Sequence, residues 1–367
     1  MARQEVIVLL LTLSVATLGL LAARSFTTRG MDADARDARS GQQWLSSKYE
    51  SLSAVVPLTN WWRFGDTAAA ATMHAALWNG SRWDLHRTNR LAAAVVLQRL
   101  RRRASAARVL DAGCGWGGSI FFLEEARRQA ALNGSLDAHQ LVTYEGLTLS
   151  PTQARAARES ASRGGLGDRV RFARASYEEA LPAASYTAVL AIESIEHSSD
   201  LAGALHNLGG SLERGGVLIV VTDFLRRAGA NLRLLTQYRL HWCGPHATWH
   251  PPANDARWEH LLRRAGLRVV QRVQLTQDLY HRPAWVLTIY FELLLFGHMV
   301  ATTFGMKRLA LQLSNQIGGV ARELLLHAGV IDYVFMVAER AKAAPLRKLS
   351  RRGAIRHTLT KFRGSRE

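Results

Sequence analysis

Val109 to Gly118 reads VLDAGCGWGG: an apolar strand end that delivers Asp111, followed by glycines at 113, 115 and 117. Glycine has no Cβ and enters left-handed backbone freely, so this spacing turns a chain sharply between a strand and a helix. It also lets a nucleotide-like ligand approach the backbone at the start of the following helix, where unpaired N–H groups point outward. The same letters contain a literal G-x-G-x-x-G at Gly113, Gly115 and Gly118, the dinucleotide fingerprint. Two features weigh against a nicotinamide dinucleotide. Asp111 lies inside the turn, and the next strand-like run ends in Glu145, about thirty residues after the glycines, later than the ~20 expected of a ribose-binding acid.

Outward from this turn, strand-like and helix-like pieces alternate. Strands are expected over 107–113, 139–146, 168–175, 186–193, 215–224, 267–275 and 331–340, with helices over 119–132, 151–163 and around 200–212. Repeated βα units predict an α/β fold: a doubly wound, mostly parallel seven-stranded sheet covered by helices on both faces. Ala284 to Met306 is long and apolar but broken by Glu292 and His298. It reads first as a core helix, with membrane-facing contact as the alternative to a second span.

The chain has 367 residues, 48% of them hydrophobic and only 8 of them proline, which is the make-up of a globular protein, not of a disordered one. Two cysteines, Cys114 and Cys243, exclude a disulfide framework and a cysteine-based zinc cluster. The net charge is +18, from 47 Lys and Arg against 29 Asp and Glu. The stretch 342–367 carries nine basic residues against one acid, a pattern that suits solvated helix faces or anionic lipid headgroups. Nucleic acid is the weaker partner, because no recognition motif accompanies the charge. Val6 to Ala23 runs eighteen residues without a charge, and as a helix it would span about 27 Å, barely enough for a bilayer core. It reads as an uncleaved anchor of a membrane-associated protein, with organellar targeting as the alternative.

Further motifs carry a resemblance. The LDAGCGWGG turn resembles motif I of class I S-adenosylmethionine-dependent methyltransferases. EGLTLSPTQ (Glu145–Gln153) and ESIEHSSD (Glu193–Asp200) are similar to segments of the branch holding tocopherol methyltransferases, sterol side-chain methyltransferases and cyclopropane fatty acid synthases. The resemblance covers roughly residues 75–341. It implies a Rossmann-like methyltransferase domain over 105–341, with cap insertions around 225–260 and 276–330. An anchor or targeting segment (1–30), a linker with a helical and aromatic cap (31–104) and a basic tail (342–367) complete the expected organisation.

The resemblance also implies site residues. Gly113, Gly115 and Gly117 would surround the methionine part of S-adenosylmethionine, with Asp111 beneath them. Thr148 and Gln153 would face the ribose and adenosine side, and Tyr177 and Glu178 would close over the adenine. Ile192 and Glu193 would lie beside the sulfonium, a cation that carboxylates and aromatic faces stabilise. The family's acid in the fourth strand is absent, since Ser185, Tyr186 and Thr187 occupy that region.

Glu196 and His197 fall where substrate meets cofactor in such a fold, at the end of the fourth strand. They are the candidate catalytic pair, able to take a proton, orient a hydroxyl or stabilise charge. The alternative is an ordinary helix-start acid with a capping neighbour. His241, His246 and His250, spaced among aromatics, read as part of a lid. Five tryptophans (44, 61, 62, 78 and 83) precede the glycine turn and four (242, 249, 258 and 285) follow the fifth strand, which suggests an aromatic cap for a large apolar substrate. The expected function is methyl transfer from S-adenosylmethionine to a lipophilic small molecule. A nicotinamide-dependent oxidoreductase and a catalytically silent membrane- or RNA-binding module are the alternatives.

Overall fold

The computed structural model describes residues 38–52, 75, 77–78, 83–103, 105–227, 230–244, 254–279 and 282–341. The expected anchor at Val6–Ala23 and the basic tail at 342–367 lie outside the described residues, as do Trp61, Trp62, His246, Trp249 and His250.

Seven strands form one sheet: β1 (Ala107–Ala112), β2 (Val142–Thr148), β3 (Val170–Arg174), β4 (Tyr186–Ile192), β5 (Leu212–Leu225), β6 (Leu267–Gln274) and β7 (Ile331–Arg340). Their spatial order is β3-β2-β1-β4-β5-β7-β6. The pairs from β3 through β5 are parallel, and β7 runs antiparallel to both β5 and β6. The expected mostly parallel doubly wound sheet is present. Its inserted antiparallel β7 departs from the 3-2-1-4-5-6 order of dinucleotide-binding folds. That removes the nicotinamide reading of the glycines.

Sequence explains the layering. Every residue of β4 is buried, as required of a central strand covered on both faces. Each of Val189, Leu190 and Ile192 contributes about 1.5–3 kcal/mol by leaving water. The outer strand β6 instead exposes Arg268, Val270, Gln271, Arg272 and Gln274 and carries a register shift between Val269 and Gln271. Charge and irregularity keep such an edge from pairing with another chain.

Helix α1 (Ala38–Leu52) precedes the sheet, and α2 (Arg87–Arg101) leads into β1. Then α3 (Gly118–Leu132), α4 (Pro151–Arg163) and α5 (Leu201–Ser211) connect the parallel strands. Pro151 opens α4 behind Ser150, whose hydroxyl accepts the Gln153 N–H at 3.0 Å, the usual start signal. Beyond β5 come α6 (Leu232–Tyr238), a π-turn at Arg239–Cys243 and α7 (Asp255–Arg264). Between β6 and β7 the chain makes a hairpin of two long helices, α8 (Ala284–Thr303) and α9 (Lys307–His327).

Two expectations are corrected here. α8 is not a core helix: it buries Leu287, Phe291, Leu294 and Ala301 but leaves most of its other apolar side chains exposed. Glu145 does not end its strand either, since β2 runs on to Thr148. Its carboxylate accepts the Tyr186 hydroxyl at 2.6 Å and pairs with Arg108.

Candidate active site

The glycine turn is pinned from two sides. The N–H groups of Gly113 and Cys114 both donate to the Leu147 carbonyl, at 3.0 and 2.8 Å, and the Ser194 hydroxyl donates to Ala112 O at 2.6 Å. Gly113, Gly115 and Gly117 have φ of +103°, +53° and +88°, the left-handed region that side chains resist. A Cβ at Gly113 would also sit 2.3 Å from the Ser194 Cβ. The turn therefore brings the ends of β1, β2 and β4 together at the start of α3. At its foot Asp111 is buried, and its Oδ2 has no hydrogen-bond partner among the described residues. Burial pushes this carboxyl up to about 7. An orphaned carboxylate oxygen beside the N-terminal turn of α3 fits a ligand with cationic or hydroxyl groups, and S-adenosylmethionine has both.

Thr148 and Gln153 come together, the threonine hydroxyl donating to Gln153 Oε1 at 2.7 Å. Over them lies α1, whose Glu50 accepts from Ser150 Oγ and from Thr152 Oγ1 at 2.6 Å. Tyr177 reaches across to β4 and donates to Ser194 O at 2.8 Å. The Glu178 carboxylate is occupied by the 198–200 loop, accepting from the hydroxyls of Ser198 and Ser199 at 2.6 and 2.7 Å and from Asp200 N. Apart from Gln42 Nε2 of α1 at 3.5 Å, its partners are thus loop groups that hold the segment after His197 in place. Ile192 ends β4, fully within the core.

Glu193, next in the chain, has a left-handed φ of +48°. For a residue with a side chain this costs about 1–2 kcal/mol. The strain turns the chain into the short 3-10 segment Ile195–His197. Glu193 Oε2 accepts the Ala75 N–H at 3.2 Å, and Oε1 lies 3.6 Å from the Arg322 guanidinium. Burial raises its pKa, with Arg322 opposing. Glu196 is buried and accepts the Thr222 hydroxyl at 3.1 Å. Burial, with the carboxylates of Asp223 and Glu193 nearby, pushes it up to about 8, so at neutral pH it is chiefly a neutral acid. His197 is held down to about 3 by burial and by the Lys48 charge, and it stays neutral. Its Nδ1 faces Cys243 O at 3.4 Å, a weak contact by geometry.

Five further groups complete the cluster. Arg322 from α9 grips Asp223 at the end of β5 with two bonds, 2.6 and 2.8 Å, and the Tyr238 hydroxyl donates to the same carboxylate at 2.9 Å. Lys48 of α1 is buried and donates to Trp242 O at 2.7 Å and to His241 O at 3.3 Å. Burial lowers its pKa to about 8. Tyr49 meets the His197 ring edge-on at 5.7 Å between centroids. Sequence reading singled out none of Lys48, Tyr49, Asp223 and Arg322. Their only local signal was Arg322, which with Glu323 interrupts the apolar run IGGVARELLL. His241 contacts Ser314 and His298 in the α8–α9 hairpin. Of the cap tryptophans, Trp242 lies at the site, over which Arg322 stacks at 5.4 Å. Trp258 is instead core, stacked on Phe224, and Trp285 stands 69% exposed on α8.

A seven-stranded sheet of this order, with a glycine turn after β1 and buried acids after β4, defines the Rossmann-like methyltransferase class. Residues 84–272, 189 of the 367, match the family model described as methyltransferase domain, and the chain belongs to that family. It is an S-adenosylmethionine-dependent methyltransferase of the class I type. Solved structures share the fold at low identity. Geranyl diphosphate C-methyltransferase from Streptomyces coelicolor is 19% identical with a TM-score of 0.55, covering 84% of this chain and 100% of that one. Cyclopropane synthase MmaA2 from Mycobacterium tuberculosis is 20% identical with a TM-score of 0.53, covering 81% and 98%. The cyclase SpnF is 20% identical with a TM-score of 0.54, covering 82% and 97%.

Proposed function

We propose that this methyltransferase acts on a lipophilic small molecule of the tocopherol or quinol, sterol or fatty-acyl kind. One observation carries the reading. The charges around Glu196 and His197 are already matched inside the protein, Arg322 on Asp223 and Lys48 on two carbonyls, while Tyr49, Tyr177 and Trp242 supply aromatic walls. Polar groups already engaged with one another leave an acceptor few polar anchors, and the aromatic rings suit an apolar one.

S-adenosylmethionine supplies an electrophilic methyl group when bound. Asp111, Gly113, Gly115, Gly117, Thr148, Gln153 and Glu193 are the residues proposed to hold it, with Tyr177, Glu178 and Ile192 shaping the adenine and sulfonium surroundings. The acceptor gains a methyl and loses a proton. Glu196, ionised toward pH 8, accepts that proton, and Thr222 keeps the carboxyl in position. The neutral His197 ring orients the acceptor's hydroxyl through its free lone pair. Most of the rate comes from proximity and alignment of the two reacting atoms.

Val6–Ala23 as an uncleaved anchor and the 342–367 tail on anionic headgroups would place this site at a membrane. Purified full chain with methyl-labelled cofactor, offered a quinol, a sterol, a phospholipid and a set of water-soluble amines and phenols, tests the proposal. Label should enter a lipophilic acceptor only. Transfer confined to the water-soluble acceptors contradicts it.

A further inference from the structure

α8 turns an apolar face to solvent. Trp285, Leu293 and Phe296 are 69, 63 and 63% exposed, with Ile289 and Met299 beside them. At about 100° per residue these five fall in one stripe, roughly 120° wide. The patch continues into the α8–α9 tip, where Phe304 and Met306 are exposed ahead of Lys307 and Arg308. An apolar surface of this extent marks a docking site.

Three observations select what docks there. The hydroxyls of Thr288, Thr302 and Thr303, all on exposed residues, donate to the carbonyls four residues back at 2.8, 2.8 and 2.9 Å. None needs water, which is how hydroxyls are satisfied in hydrocarbon. Glu292 bears the one carboxylate of α8 and is paired with Arg233 at 2.8 Å. The basic tip, the +18 net charge and the uncharged run Val6–Ala23 all suit an anionic bilayer.

The same facts fix how the helix meets it. Glu292 falls within the stripe, and α8 packs along α9, which carries Lys307, Arg308, Arg322 and Glu323. A pair of spanning helices would bury those charges in hydrocarbon. We propose that α8 and the α8–α9 tip form a monotopic bilayer-docking face. The helix lies in the interface plane with its stripe toward the acyl chains and the Glu292–Arg233 pair at headgroup depth. The proposal goes beyond the methyl-transfer reading and does not depend on the acceptor's identity.

The test uses the full chain with an environment-sensitive dye on Phe296→Cys, and in separate preparations on Ile289→Cys or Arg263→Cys, the last on α7. Cys114 and Cys243 are buried and stay unlabelled. Vesicles of phosphatidylcholine and phosphatidylglycerol with brominated acyl chains should blue-shift and quench the dyes at 289 and 296 but not at 263. With Ile289→Cys labelled, adding Leu293→Glu and Phe296→Glu should cut quenching at least about threefold, since both apolar anchors are lost. Vesicle-bound protein with no quenching at 289 and 296, or equal quenching at all three sites, overturns the proposal. So does absence of vesicle binding. Dye–dye energy transfer before vesicles are added assigns the face to a second copy, and a dye already blue-shifted in monomer assigns it to another segment of the chain. Either result also overturns it.

Discussion

The Arg322 guanidinium holds both carboxylate oxygens of Asp223, Nε to Oδ2 at 2.6 Å and Nη2 to Oδ1 at 2.8 Å, and so ties the second helix of the α8–α9 hairpin to the end of β5. It also lies 3.6 Å from the Glu193 carboxylate. Arg322→Met should leave two buried acids facing each other without that cation. A loss of about 3–5 kcal/mol is expected, read as a lower denaturant midpoint. An unchanged midpoint would show that the pair does not hold the hairpin to the sheet.

Glu196 and His197 bend stability with pH in opposite senses. Glu196 is raised to about 8 in the fold, so between its unfolded value near 4.5 and 8 the native state holds a proton that the unfolded chain has released. Stability then falls as pH rises through that window. His197 is lowered to about 3. Between 3 and its unfolded value near 6.5 the unfolded chain binds the extra proton, and stability rises with pH. Urea midpoints across pH 4 to 9 should therefore fall less steeply in Glu196→Gln, where the raised Asp111 still contributes, and rise less steeply in His197→Asn, where the lowered His241 still contributes. Parallel curves for all three proteins would contradict both assignments.

The catalytic counterpart is a rate profile. Glu196→Gln keeps the shape and the contact with Thr222 but cannot take a proton. Turnover should drop by about 10²-fold or more with cofactor affinity little changed. The ionisation near pH 8 expected in the wild-type kcat from Glu196 should be missing from what activity remains. Full turnover in this variant would reduce the pair to the start of an ordinary loop.

Much of this was legible in local sequence, and most of what was missed joins residues far apart in the chain. The βα alternation, the turn at 109–118 and the loop at 193–200 all write their structure within ten residues of themselves. Even the error at 139–146 is local: Asp137 accepts the His139 N–H at 2.9 Å and holds a turn where a strand was expected, so β2 starts later and carries Thr148 to its end. The acceptor side is different. Lys48 meets Trp242 across 194 residues and Arg322 meets Asp223 across 99. No period or spacing records such pairs. Gly318 shows how close the joining must be, because a Cβ there would stand 2.6 Å from the His241 carbonyl carbon. The exposed stripe of α8 was hidden for the reverse reason: hydropathy reports that a helix is apolar, not which of its sides finds a partner.

Glu193 offers a test of backbone strain apart from its charge. Because φ is +48°, Glu193→Gly should be more stable than Glu193→Ala by about 1 kcal/mol, the difference a Cβ makes in left-handed backbone. Both variants lack the carboxylate, so the comparison cancels its contribution. Equal stability would mean that the turn after β4 relaxes once the side chain is gone.

Gly115, at φ +53°, is the corresponding probe of the cofactor turn. Gly115→Val forces a branched side chain into that backbone and should abolish the rise in melting temperature that S-adenosylhomocysteine gives the wild-type protein. NAD should stabilise neither protein. Retained stabilisation of the variant would move the cofactor away from the turn.

The central claim, methyl transfer to a lipophilic acceptor, is met most directly by untargeted mass spectrometry. Wild-type full chain and the Glu196→Gln variant are each incubated with S-adenosylmethionine carrying a deuterated methyl group and a total lipid extract, and the organic and aqueous phases are then searched for the labelled methyl mass shift. The account predicts one or a few labelled species in the organic phase with wild-type protein, and far less with the variant. Label found only in the aqueous phase, or equally with both proteins, would contradict it.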